Sequence, residues 1–472
     1  MKRTLYRTIM TFFALLLPVL WLAGGAGAQT APSSRASLVK WFDADAITDG
    51  VDGAAYTGSA NGFTQTIVAN QPTYLAHGFL NGHACLRFAG TQYLSKATDT
   101  GLDSLSASDC TFTFVFRQSN ASSGGGYGGV FAKNPAAGRL FFILQNGVFE
   151  RYSDLVTPAA VVLNRAYVIE YSLHITGANT GIETLYYNGL QVAQVTGTLA
   201  AWNASAAYII GGYGTVAGFT GDIVSITADN VVLTQPQMTS DVAYYRSRYY
   251  DPSQVEVSFI GDSRTYGTDM TQAGNLSPYP YPLQTKGLNN PYNINYNNLG
   301  HGGWGTAPML ADAPLRINPF NRQIAVLWGG INDLLVNGLS SEPAAFTTFQ
   351  KLVNLYEANW CQTVVLTEID AAFQFETWRV PYNASIRTAF PTLAGKRVLV
   401  DAATNPLVGV DGASNNATYF SSDHIHPIGQ AGGGGAGGGY GVIASLVGPP
   451  IISLLQSPPA TGSGAGPKRR LQ

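Results

Sequence analysis

The chain has 472 residues, more than the roughly 250 to 300 over which one hydrophobic core grows, so at least two domains are expected. Charged side chains make up only 11% of it and the formal net charge is -2, with no stripe of Lys and Arg inside either half. That excludes an electrostatic nucleic-acid binder, which needs clustered cations to displace counterions, and implies a polar but uncharged surface.

At the N-terminus, Lys2, Arg3 and Arg7 precede an apolar run from Thr11 to Leu22, and Ala26-Gly27-Ala28 has the small-x-small pattern of a cleavage site. Residues 1–28 read as a signal peptide cleaved after Ala28. A membrane anchor fits less well, because the run falls short of the roughly 20 apolar residues that span a bilayer and Pro18 interrupts it. The mature protein is expected to be secreted or periplasmic, without stable membrane insertion. Three cysteines cannot build a disulfide framework. Cys85 and Cys110 fall in neighbouring predicted strands, which leaves two readings: they pair and Cys361 stays free, or all three are buried thiols. Neither the spacing nor the neighbours of the cysteines point to a metal site.

From Ser37 to Asn230 short alternating apolar runs are separated by Gly, Asn and Ser clusters, the pattern of an antiparallel sandwich. Phe112, Phe114 and Phe116 point one way and Thr111, Thr113 and Arg117 the other, so this strand is expected to bury one face and wet the other. Asn146-Gly147 and Asn188-Gly189 supply the positive-φ pairs of two-residue hairpins. The stretch Leu86-Arg87-Phe88-Ala89-Gly90-Thr91-Gln92-Tyr93-Leu94, read as a hairpin, and Ile209-Ile210-Gly211-Gly212 with Phe219-Thr220-Gly221-Asp222-Ile223 resemble the laminin-G-like, concanavalin-A-like jelly rolls. The resemblance covers about residues 36–234 and implies carbohydrate or protein-ligand binding, in some members with a structural calcium ion. It assigns no ligand residue here. Trp41, Trp202, Tyr208 and Tyr213 either stack on sugars or, as aromatics in sandwiches more often do, fill the core.

Residues 235–252 read as a helical connector. Thr234 can cap it, Pro236 suits the first turn, and Met238, Val242, Tyr245 and Tyr249 recur on one face. An apolar stripe on a connector implies that the two domains are docked. From residue 253 to 450 the pattern changes to strands alternating with helices: strands at 255–260, 293–299, 324–328, 363–368 and 397–400, helices near 343–360, 383–390 and 440–447. Continuous apolar strands such as Ile324-Ala325-Val326-Leu327-Trp328 require a parallel sheet covered on both faces, a doubly wound α/β domain whose ligands gather at the carboxyl ends of its strands. Gly432 to Gly439, broken only by Ala436, reads as a loop, and residues 451–472 as a disordered tail.

Four blocks lie at those strand ends or in late loops: Gly261-Asp262-Ser263, Asn298-Leu299-Gly300-His301-Gly302-Gly303, Gly330-Ile331-Asn332-Asp333 and Asp423-His424-Ile425-His426-Pro427. Together they resemble the SGNH hydrolases, the GDSL-type esterase and lipase superfamily, which implies a flavodoxin-like parallel sheet and a serine nucleophile. On that resemblance Ser263 attacks an ester carbonyl, His426 carries its proton and Asp423 orients the imidazole; the oxyanion donors are the Ser263 and Gly303 N–H groups and the Asn332 amide. The three-residue spacing of Asp423 and His426 lets one loop deliver both. Gly303 fits the N-x-G-x-x-G spacing, although the glycine run leaves the register open. His424 competes with His426, but only His426 has the spacing and the following proline. Asp262 and Asp333 are expected to tie down their loops through backbone hydrogen bonds. His301 and Trp304 either line an acyl pocket or act as scaffold. Arg264 departs from the family, where leucine often follows the serine, and is expected to bind an acidic substrate or lie on the surface.

The expectation is an exported serine esterase working through an acyl-enzyme without cofactor, acting on an acylated carbohydrate or another ester, foremost the O-acetyl groups of a polysaccharide. A wet, uncharged composition and the fold-level analogy of a jelly roll beside a hydrolase favour that substrate. The alternatives are a lipase or thioesterase for longer acyl chains, and a glycan-binding adhesin with an inactive hydrolase half. Oligomeric state is not legible.

Overall fold

The computed structural model describes residues 31–120, 127–133, 141–145, 148–151, 155–156, 161–199, 205–213, 217–267, 294–337, 342–372, 376–429 and 438–457. The signal peptide, the Asn146-Gly147 turn, Trp202, the side chain of Tyr213, residues 432–437 of the glycine run and residues 458–472 lie outside that description.

The N-terminal region is an antiparallel β-sandwich of two sheets, with eight strands in each among the described residues. In one sheet Leu190–Thr198, Thr180–Tyr187, Ala166–Gly177, Cys110–Gln118 and Thr220–Asp229 follow in order. The long strand Thr220–Asp229 divides its far edge between Cys85–Ala89 and Leu38–Asp43. In the other sheet Tyr208–Ile210 joins Leu94–Lys96 to Tyr127–Lys133. Phe112, Phe114 and Phe116 enter the core between the sheets, where Phe114 lies 4.9 Å from Phe142 and Phe142 the same distance from Tyr171. Pairs of this kind add about 0.5 to 1.5 kcal/mol each beyond their buried area. Asn188 and Gly189 turn the hairpin between Thr180–Tyr187 and Leu190–Thr198, with φ of 50° and 79°.

Two expectations for this half are corrected and two open readings are settled. The opposite face of Cys110–Gln118 is not wet: Thr111, Thr113 and Val115 are buried, because the connector helix covers it. The stretch from Leu86 to Leu94 is not a hairpin, since Cys85–Ala89 and Leu94–Lys96 belong to different sheets and the chain crosses between them. Cys85 and Cys110 are free and buried, like Cys361. Strand Thr220–Asp229 separates the first two, and their side chains face different cores. Tyr208 is a core residue whose hydroxyl donates to Asp103 at 2.6 Å, which leaves no face for a sugar.

The connector helix, α1 (Gln235–Tyr249), begins in a capping box in which Gln237 reaches back to accept the Thr234 N–H at 2.8 Å. Its apolar stripe, Met238, Val242, Tyr245 and Tyr249, is buried. Val242, Tyr245 and Tyr249 share one cluster with Val115, Val168 and Val224 of the sandwich and with Phe320 of the following domain. Polar contacts add direction: Arg165 pairs with Glu256 at 3.2 Å, and Asn188 donates to the Ile317 carbonyl at 2.8 Å.

The C-terminal region is a five-stranded parallel sheet of β1 (Asp251–Gly261), β2 (Ile294–Gly300), β3 (Asn321–Trp328), β4 (Gln362–Leu366) and β5 (Arg397–Val400), in the order β2-β1-β3-β4-β5. That flavodoxin-like order places the topological switch at β1, and ligands of such sheets sit outside the carboxyl ends beside the switch. The sheet alternates its faces residue by residue. Val255, Val257, Phe259, Val326 and Trp328 meet α7 (Gly438–Gln456) on one side. Ile260, Ala325, Leu327 and Val365 meet α3 (Thr306–Arg316), α4 (Ile331–Asn337), α5 (Glu342–Ala358) and α6 (Glu376–Ala389) on the other. A single turn, α2 (Ser263–Tyr266), follows β1.

Two differences from the sequence reading share one cause. Helix α3 was not foreseen, because Pro308 and Pro314 argue against it, and α7 continues through Pro449 and Pro450 to Gln456 where a disordered tail was expected. An interior proline costs about 3 kcal/mol. In α7 this is offset by burial of Ile451, Leu454 and Leu455, and Arg322 donates to the terminal carbonyls of Leu455 at 3.0 Å and Ser457 at 2.6 Å. Helix α7 is long and apolar enough to cross a membrane, but its buried face is a core face of the sheet.

Candidate active site

Strand β1 ends at Gly261, where a side chain would stand 2.1 Å from Thr265 Oγ1 and 2.5 Å from the Trp328 carbonyl. Only glycine permits that approach. Asp262 then caps α2 by accepting the Arg264 N–H at 2.9 Å, and Gly267, at φ 90°, ends the turn with its N–H on the Ser263 carbonyl. Ser263 is thereby presented, half-buried, at the carboxyl edge of the sheet.

The loop after β5 comes to it. Ser263 Oγ lies 2.7 Å from His426 Nε2, and His426 Nδ1 lies 2.6 Å from Asp423 Oδ2. The carboxylate fixes the tautomer: Nδ1 donates to Asp423, so Nε2 is left to accept the serine proton. Asp423 Oδ1 also accepts the N–H groups of Ile425 at 2.8 Å and His426 at 3.0 Å, and the Ser421 hydroxyl. Burial opposes its ionisation, but these donors and His426 outweigh burial and hold the carboxyl down at about 2. His424 turns away, with Nδ1 2.9 Å from the Ser414 carbonyl and a backbone φ of 57°.

The two remaining expected donors lie in the loop after β2 and at the start of α4. Gly303 has φ 77° with open space where a side chain would be, and its N–H enters none of the backbone hydrogen bonds among the described residues. Gly300, by contrast, closes β2 against α2, where a Cβ would fall 2.2 Å from the Tyr266 nitrogen. That contrast sets Gly300 aside as a packing glycine, while Gly302 and Gly303 are both exposed. Asn332, at the start of α4, gives one amide hydrogen to the Trp304 carbonyl at 2.8 Å. Asp333 accepts the Thr306 N–H at 2.7 Å, so α4 anchors the loop that carries Gly303. Both Asp262 and Asp333 tie down their loops. His301 and Trp304 stack 3.8 Å apart beside Gly303, and burial lowers the His301 pKa. Trp304 also packs against the core beneath, so it is at least scaffold.

Arg264 is the clearest correction. It lies neither on the surface nor toward substrate but is completely buried. Its guanidinium rests 4.3 Å from the Trp328 ring, forks onto Asp262 at 3.1 and 2.9 Å, and lies 2.7 Å from Glu368 Oε2. Glu368, just past β4, was overlooked; its one signal was a lone carboxylate closing a buried apolar strand. Among the described residues one acidic trio, Asp370, Glu376 and Asp411, is close enough to share a cation. Protein donors already hold two of its members: Asp370 accepts the Ser414 N–H at 2.7 Å and Glu376 accepts from Arg379.

A serine, an imidazole and a carboxylate in one hydrogen-bonded line are an arrangement that can carry out acyl transfer. Residues 259–430 match the model of the GDSL-like lipase/acylhydrolase family. This region is a GDSL-like acylhydrolase domain. No curated protein sequence matches the chain. Solved structures similar to parts of it include a Clostridium thermocellum family 3 carbohydrate esterase, at 20% identity and TM-score 0.32, covering 43% of this chain and 98% of that one. TesA matches at 17% identity and TM-score 0.31, over 43% of this chain and 99% of its own. A Trypanosoma rangeli sialidase matches at 12% identity and TM-score 0.30, over 45% of this chain. The chain spans only 35% of the length of that sialidase. The acylhydrolase domain thus sits behind a β-sandwich to which α1 docks it.

Proposed function

We propose that this protein is an exported serine esterase whose substrate is an O-acetylated polysaccharide. The observation that carries the esterase reading is the continuous line from Ser263 Oγ through His426 to Asp423, at 2.7 and 2.6 Å, inside an acylhydrolase domain. Ser263 Oγ attacks the ester carbonyl as His426 Nε2 takes its proton, and the Ser263 and Gly303 N–H groups with the free Asn332 amide hydrogen receive the oxyanion. Collapse expels the sugar alcohol, protonated by His426, and leaves an acetyl-serine. Water, deprotonated by the same imidazole, then releases acetate and restores the serine. Asp423 stays ionised and stabilises the imidazolium in both halves. The choice of an acetylated polysaccharide rests on the low charge of the chain and on the β-sandwich docked to the acylhydrolase domain. Export rests on the basic, apolar and small-residue segments of residues 1–28.

The test is hydrolysis of aryl esters of increasing acyl length and acetate release from acetylated xylan, with wild type and Ser263→Ala. A short-chain, acetate-releasing activity lost in the variant is the expected result. A preference for long chains would move the substrate to lipids or thioesters, and equal inertness of both proteins would remove the esterase reading. N-terminal sequencing of the exported protein is expected to begin at Gln29.

A further inference from the structure

Three strand ends converge under the nucleophile. Asp262 and Arg264 follow β1, Trp328 closes β3, and Glu368 lies two residues past β4. Arg264 touches all three: its guanidinium lies over Trp328, forks onto Asp262 and pairs with Glu368. Asp262, Arg264 and Glu368 are all completely buried. Removing ions from water costs several kcal/mol each, so such a group persists only where its geometry is held from several sides. Here it is. Asn383 clamps the Glu368 backbone from both directions, accepting its N–H at 2.7 Å and donating to its carbonyl at 2.8 Å. Asp262 in turn accepts the Arg264 backbone N–H, one residue past the serine.

We propose that Glu368 is a positioning residue for Ser263: it holds the Arg264 guanidinium, and Arg264 locks the turn that presents the serine hydroxyl and N–H. This rests on Ser263 being the nucleophile. Glu368 touches no reacting atom. The cluster contains two carboxylates and one guanidinium, so a full set of charges leaves one negative charge buried. Glu368 is the member that can give it up. Its Oε2 lies off the guanidinium N–H axis, and neither carboxylate oxygen accepts an aligned hydrogen bond among the described residues. Burial, reinforced by the Asp262 charge and opposed by Arg264, pushes its pKa up to about 7. The other groups facing it are Arg379, which donates to its backbone carbonyl at 3.3 Å, and Tyr382, whose hydroxyl is held by the Gly329 carbonyl at 2.8 Å. Near neutrality, Glu368 therefore passes from a neutral neighbour of Arg264 to a full ion-pair partner, and the turn beneath Ser263 tightens as it does.

The variant to use is Glu368→Gln, which keeps the shape and leaves a neutral Asp262–Arg264 pair, so the fold is retained and the melting temperature serves as the control. Two readouts are compared with wild type from pH 5 to 9: kcat and KM on a short-chain aryl ester, and the rate at which a fluorophosphonate labels Ser263. Near pH 5 the two proteins are expected to agree. At pH 8.5 the variant is expected to lose about tenfold to a hundredfold in kcat, the scale of a slightly misplaced reacting group. KM should stay within about twofold, and the ratio of variant to wild-type kcat should fall as pH rises through about 7. A folded Glu368→Gln protein with wild-type kcat and labelling across the range would overturn the positioning role while leaving the nucleophile intact. Failure of wild-type Ser263 to label at all would overturn both this role and the esterase reading.

Discussion

Arg165 of the β-sandwich and Glu256 of β1 form a buried ion pair across the domain boundary, 3.2 Å between Nη2 and Oε1. Glu256 is further held by the Ser258 hydroxyl at 2.9 Å, Asn318 at 2.9 Å and Gln323 at 3.1 Å. Removing Arg165 leaves that carboxylate buried without its cation. Arg165→Ala is expected to destabilise the protein by about 3 to 5 kcal/mol in urea unfolding, and Arg165→Met with Glu256→Gln to recover most of the loss. Loss of less than about 1 kcal/mol in the single variant would show that the domains do not depend on the pair.

The glycines after β2 give a paired test. A side chain at Gly303 meets open space and only the positive φ opposes it, whereas one at Gly300 meets the backbone of Tyr266. Gly303→Ala should fold, at a cost of about 1 to 2 kcal/mol for the left-handed conformation, and lose kcat. Gly300→Ala should lose stability more than Gly303→Ala. Thermal melts beside kinetics separate the two, and the reverse pattern would reassign the oxyanion donor.

One amide hydrogen of Asn332 anchors the Trp304 carbonyl, and in the proposed mechanism the other receives the oxyanion. Asn332→Ala is expected to lower kcat by about 10² to 10³ with little change in KM, the usual effect of deleting one such donor. A change under about threefold would assign Asn332 to the scaffold alone.

Asp423 sets the acid behaviour. Its carboxyl, at about 2 in the folded protein and about 3.9 when unfolded, contributes stability that is present above the unfolded value and lost as pH falls toward 2. Asp423→Asn should reduce kcat by about 10⁴ through the wrong tautomer, and its stability deficit against wild type should shrink between pH 4 and 2. A deficit that stays constant over that range would show that the folded carboxyl is not depressed.

Much of this was legible because period and punctuation are local properties. The continuous apolar run from Ile324 to Trp328 announces a parallel sheet, and the apolar stripe of α1 announces docking. Serine, asparagine, aspartate and histidine in four ordered blocks announce acyl transfer. A helix interrupted by prolines is not announced, since α3 and α7 exist only because the sheet rewards their buried faces by more than the lost backbone bonds cost.

The sequence by itself determined the fold class of both halves, the connector stripe and the residue types of the site, because alternation, turn chemistry and spacing act between near neighbours. Only the tertiary structure decided that Gly300 packs against α2, where His424 points, that Cys85 and Cys110 face different cores, and that Arg264 is buried with Glu368. Each of these depends on which distant segment fills the space beside a residue. For Arg264 that segment is the end of β4, about one hundred residues away in the chain, and a charge's surroundings, more than its identity, set what it does.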